Sequence, residues 1–104
     1  MTIYDLKDQQ GRPFAFEVRN FGRSRAARLV ARIPGVTVLR AQRHFQFFGP
    51  DEFCEFELEG QRFVIWEPFG DNGRYWVGAI PPRSCPQLER IRSVFASQRV
   101  WWFF

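Results

Sequence analysis

Between residues 14 and 33 the apolar residues change period, and that change limits what the chain can fold into. Phe14, Phe16 and Val18 alternate with Ala15 and Glu17, the pattern of a strand with one face buried. Ala26, Leu29, Val30 and Ile33 then fall at i, i+3, i+4 and i+7, which lines them up along one side of a helix while Arg25, Arg28 and Arg32 take another. Asn20 or Ser24 offers a side chain to cap the helix start, and Pro34-Gly35 stops it by removing a donor and adding a flexible residue. Val36–Arg40 reads as the next strand. Elements with one apolar side each must bury it against another layer, so the opening specifies a helix packed on a sheet.

Downstream the pattern is that of strands. Glu52–Leu58 and residues 62–67 flank Glu59-Gly60. A two-residue turn there sets Glu57 opposite Arg62, Phe56 opposite Phe63, Cys54 opposite Ile65 and Phe53 opposite Trp66. Asn72-Gly73 is a second hairpin signal and introduces a strand over residues 74–80. Residues 1–6 read as a short first strand that turns through residues 8–11. Pro81-Pro82 ends the sheet, Ser84-Cys85-Pro86-Gln87 has the S-x-x-Q form of a capping box, and Leu88, Ile91, Val94 and Phe95 form a second helical stripe. The expected fold is one α+β domain over residues 1–104. It is a two-layer sandwich with a mainly antiparallel sheet of about five strands, order β-β-α-β-β-β-α, both helices on one face, and ferredoxin-like character.

Thirteen Phe and four Trp among 104 residues supply enough ring area for a core without help from a disulfide or a metal. Cys54 and Cys85 lie outside any C-x-x-C or metal-ligand spacing, residues 1–6 lack a basic and then apolar leader, and no stretch reaches membrane-spanning length. These features set the expectation of a cytoplasmic protein of bacterial type with reduced thiols, no cofactor and no membrane partner.

The formal net charge is +4 with a pI near 9.8, and Lys7 is the only lysine. Arg12, Arg19, Arg23, Arg25, Arg28, Arg32, Arg40 and Arg43 face only Glu17 in their stretch, whereas Asp51, Glu52, Glu55, Glu57 and Glu59 cluster just beyond it. Such basicity is compatible with an acidic protein or a nucleic acid as partner.

Catalytic chemistry finds little footing. His44 is the only histidine, so neither a histidine pair for a metal nor a Ser-His-Asp arrangement is available, and it reads as a solvated loop residue. Glu55, Glu57 and Glu59 alternate as a solvent-facing strand does. Cys85, in the first turn of a helix beside Arg83, is the best nucleophile candidate, but no base stands near it in sequence, and Cys54 reads as core. Gly22, Arg23, Ser24 and Arg25, at a strand-to-helix junction, form a weak anion-binding candidate without the glycine spacing of a P-loop.

Arg12-Pro13-Phe14-Ala15-Phe16-Glu17-Val18 is similar to the third-strand motif of RNA-recognition-motif domains, where a basic residue precedes strand aromatics that stack on bases. Pro13 stands where that family has glycine, and Glu17 where it has an apolar residue. The resemblance implies that Phe14 and Phe16 face outward; the alternation of the strand buries them.

The second face of the sheet is the clearest lead. With Cys54, Phe56, Leu58, Phe63 and Ile65 toward the helices, Phe53, Val64 and Trp66 face away, with Tyr75, Val77 and Leu39 as neighbours and Arg62 and Arg40 at the rim. An apolar sheet face rimmed by charge marks either an interface or a surface covered by the chain's own tail, Val100-Trp101-Trp102-Phe103-Phe104, or connector. The leading expectation is a non-catalytic interaction domain that takes a protein partner or a second copy of itself. Next comes single-stranded nucleic-acid binding by the same rings with Arg12, Arg40, Arg43 and Arg62 on phosphates, and third a small thiol enzyme using Cys85.

Overall fold

The computed structural model describes residues 2–19, 23–40, 52–67 and 74–98, with the backbone alone for Arg23, Ser24, Arg40, Glu52 and Phe53. In chain order the elements are β1 (Thr2–Lys7), β2 (Pro13–Arg19), α1 (Arg23–Ala31), β3 (Val36–Arg40), β4 (Glu52–Leu58), β5 (Gln61–Trp66), β6 (Arg74–Ala79) and α2 (Pro86–Ser97). The strands form one sheet in the order β1-β2-β6-β5-β4-β3, and every neighbouring pair is antiparallel. The α+β class, the antiparallel sheet and the two helices agree with the sequence pattern. The sheet has six strands in place of about five, and its order differs in detail from a ferredoxin-like one. Its edges are β1 and β3, whose largely exposed residues leave the weakest alternation in the sequence.

Both helices pack on the same face. Ala26, Leu29, Val30 and Ile33 of α1 and its exit, with Leu88, Ile91 and Phe95 of α2, share one core with Phe16, Val18, Cys54, Phe56, Leu58, Phe63, Ile65, Tyr75 and Val77 of the sheet. Phe56 and Phe63 stack at 5.5 Å across β4 and β5, and Phe16 meets Phe95 edge-on at 5.4 Å. Phe16 is therefore committed to the core at 1% exposure, and the outward phenylalanine that an RNA-recognition-motif strand requires is absent at this position. Phe14 is half-buried.

Local chemistry sets the turns. Asp8 closes the β1–β2 hairpin, its Oδ1 accepting the backbone N–H groups of Gln10 and Arg12 at 2.9 Å each. The Glu59-Gly60 turn has positive φ at both residues, 52° and 79°, the geometry that matches the right-handed twist of a hairpin. Gly35 leaves α1 at φ +89°, where any other residue would be strained and its Cβ would sit 3.3 Å from Leu58 Cδ1.

The capping box does not form. Cys85, not Ser84, is the N-cap of α2, Pro86 follows as the first helical residue, and no side chain caps the end. The motif is one residue out of register with the helix start, and Gln87 Oε1 is left buried without a hydrogen-bond partner.

Candidate sheet-face interface

The face turned away from the helices is built by cross-strand rows. Tyr4 pairs with Glu17, Glu17 with Trp76, Trp76 with Trp66 and Trp66 with Glu52, so one row runs from β1 to β4. Beside it runs the row Leu6, Ala15, Gly78, Val64, Glu55 and Arg40. The two indoles meet nearly perpendicular, 72° apart with centroids at 6.0 Å. A Cβ built on Gly78 would lie 2.5 Å from Trp76 Cη2 and 3.0 Å from Ala15 Cβ, so the Trp76 ring covers the glycine. Ala15 is 1% and Val64 5% exposed beside it, whereas Trp66 keeps 37% of its surface and Tyr4 43%.

Charge rims this apolar strip and is largely neutralised within it. Arg62 Nη2 donates to Glu55 Oε2, Arg74 lies 3.7 Å from Glu17, and the Arg19 guanidinium sits 5.6 Å above the Tyr4 ring. The cross-strand pairs that bring these groups together follow from the register, Glu55 opposite Val64 and Glu57 opposite Arg62.

Of the residues expected on this face, Val64, Trp66 and Arg62 are there. Tyr75 and Val77 are not: they point into the core at 6% and 0% exposure. A two-residue turn at Asn72-Gly73 would set Trp66 opposite Ala79, whereas Trp66 is opposite Trp76. The displacement of three residues is odd, and an odd shift turns a strand over, bringing Trp76 out in place of Tyr75. Phe53 does not oppose Trp66 either. The register shifts between Glu52 and Cys54, so Glu52 takes that place and Phe53 is the extra residue of a bulge. A second shift, between Val38 and Arg40, makes Leu39 the extra residue of β3, 43% exposed at the sheet edge. Arg40 is opposite Glu55 by its backbone.

The junction candidate is partly described. Gly22 lies outside the described residues, Arg23 and Ser24 begin α1, and Arg25 is half-buried on that helix. His44, the connector phenylalanines, the Asn72-Gly73 turn and residues 99–104 also lie outside the described residues.

Cys85 lines a hollow of about 320 Å³ between α2 and the β1–β2 hairpin, with Asp5, Lys7, Glu89, Arg92 and Ser93. Asp5 is held there by a two-bond clamp from Arg92, Nε to Oδ1 at 2.6 Å and Nη2 to Oδ2 at 2.9 Å. The hydrogen bonds to Asp5 raise the Arg92 pKa. Asp5 is thus occupied in joining helix to edge strand. Both cysteines are free thiols. No group of three potential metal ligands occurs among the described residues, and no helix among them is long and apolar enough to cross a membrane.

Compared with protein-family models, curated proteins and solved structures, the chain matches none of them.

Proposed function

We propose that this chain is a non-catalytic binding domain and that its working surface is the open sheet face, with Trp66 at the centre and Tyr4, Trp76 and Val64 around it. The observation that carries the reading is the contrast within one strip: Ala15 and Val64 are buried and Trp76 is half-buried over Gly78, yet Trp66 stands out beside them at 37% exposure. Exposed aromatics on a rigid, tightly packed base are the residues that dominate protein–protein binding. The partner is a protein surface, and a second copy of the chain fits it, because a rim of alternating Arg62, Glu55, Arg74 and Glu17 is complementary to itself under a two-fold axis.

Stacking of nucleic-acid bases on the same rings is the weaker reading. Arg12 and Arg62, two of the four arginines expected on phosphates, are bound to Asp8 and Glu55, so neither offers a polyanion unpaired charge; the side chains of Arg40 and Arg43 lie outside the described residues.

Sedimentation velocity of the full chain over a range of micromolar concentrations tests the proposal. The expected result is a dimer that persists in high salt and is lost in Trp66→Ala and Trp66→Glu, with the folded signal retained in both. A wild type that stays monomeric throughout, with Trp66 shielded from a soluble quencher, would overturn it.

A further inference from the structure

Positive charge in this molecule is distributed unevenly between its two faces. Among the described residues, Arg12, Arg62, Arg74, Arg90 and Arg92 all stand in ion pairs with carboxylates, Arg83 donates to Gln61, and Arg19 sits over the Tyr4 ring. α1, with the residue that follows its exit, differs in carrying exposed arginines with no acidic residue among them. Its sequence, RSRAARLVA, contains no acidic residue, and Arg32 follows directly. Arg28 and Arg32 are exposed, and no carboxylate among the described residues lies in ion-pair range of either. With Arg25, Leu29 and Gln98 of the α2 end, they line a hollow of about 130 Å³, room for an oxyanion. Arg25 is already engaged by another group, so Arg28 and Arg32 carry the argument.

We infer that this arginine ridge binds the phosphate backbone of a nucleic acid, on the helical side of the molecule and independently of the sheet face. Residues four apart on a helix are about 6 Å apart along its axis, comparable with neighbouring phosphates on one strand. Arginine, rather than lysine, presents the paired donors that phosphate oxygens accept. A membrane surface is disfavoured by the same helix. Among the described residues the exposed large apolar side chains are Tyr4, Val38, Leu39, Trp66 and Ile80, and since none of them is on α1, the helix itself offers no large apolar side chain to insert among lipid chains. Among the described residues, the arginines of the sheet face are paired with carboxylates or, for Arg19, stacked on Tyr4, whereas Arg28 and Arg32 of the helical side are not.

The test is fluorescence polarisation of a labelled single-stranded RNA of mixed sequence, titrated with the full chain at several salt concentrations. Two phosphate contacts give a log–log salt slope of about −1.4. The R28Q/R32Q double variant should lose at least tenfold in affinity and most of that slope, and R28K/R32K should recover the slope with weaker binding. R62Q, whose charge is already paired, should behave as wild type. Both ridge residues are exposed, and urea melts of each variant should coincide with wild type. Equal slopes for wild type and R28Q/R32Q would sink the inference, as would binding to anionic lipid vesicles without binding to RNA.

Discussion

Trp66 and Trp76 face each other across neighbouring strands, edge against ring at 6.0 Å, and it is the Trp76 ring that sits over Gly78. Trp76 lies over Gly78 and is half-buried, whereas Trp66 keeps 37% of its surface exposed. The two rings therefore have different duties: one floors the surface and the other projects from it.

Truncating them should separate stability from association. Trp66→Ala removes a half-exposed ring and one edge-to-face contact, about 0.5–1.5 kcal/mol beyond its partial burial, and the domain should stay folded. Phe63→Ala, a fully buried ring stacked on Phe56, should cost about 3–5 kcal/mol. Urea midpoints of the two variants measure the difference. Equal losses would mean that Trp66 is a core residue.

Gly78 should tolerate no side chain. Its backbone suits any L residue, so the cost of Gly78→Ala comes from the Trp76 ring, which a methyl group would meet at 2.5 and 2.9 Å. Displacing the indole should cost about 1–3 kcal/mol and alter tryptophan fluorescence. In a Trp76→Leu background the same change should be much milder. A double-mutant cycle with no coupling between the two sites would show that the ring is not what excludes the methyl group.

The thiols should differ in access. Cys54 is fully buried between the sheet and the helices, while Cys85 lines an open hollow at the start of α2. A chromogenic disulfide reagent should titrate one thiol promptly in the native state and the second only on unfolding, with Cys85→Ser abolishing the prompt phase. Persistence of that phase in Cys85→Ser would contradict the assignment.

Acid should loosen the first hairpin through Asp8. Its pKa is lowered below 3.8, chiefly by the backbone N–H of Arg12, with Gln10 N–H and the Arg12 guanidinium adding to the effect. A carboxyl whose folded pKa lies below the unfolded one, near 4, stabilises the fold above that value and loses the contribution as pH falls through the folded pKa. Asp8→Asn keeps an acceptor oxygen and removes the titration. Its urea midpoint should fall less than that of wild type between pH 6 and pH 2.5; parallel falls would assign acid sensitivity to other groups.

Much of the fold was legible because short-range geometry decided it. Ala26, Leu29, Val30 and Ile33 are all buried as their spacing requires, and the tight Glu59-Gly60 turn made the pairings of Phe56, Cys54 and Glu57 readable. Legibility ended where one extra residue entered. The bulge at Phe53 moved Glu52 opposite Trp66, and the longer β5–β6 connection reversed the faces of β6, so Tyr75 was expected outside and Trp76 was missed. Parity of a strand depends on the residue count of its loop, which local preferences do not determine. Arg28 and Arg32 were visible as a helical stripe, but their lack of partners is a tertiary fact. It depends on which carboxylates the sheet brings to the other arginines.

The strand order also governs the sequence of assembly. β3, β4, β5 and β6 are neighbours in chain and in space, so they can zip together by successive short closures. β2 must instead join β6, with residues 15–19 meeting 74–78. Until residue 78 has left the ribosome, the β1–β2 hairpin has no sheet to add to. That long-range closure carries the largest loop-closure entropy of the sheet's strand pairings.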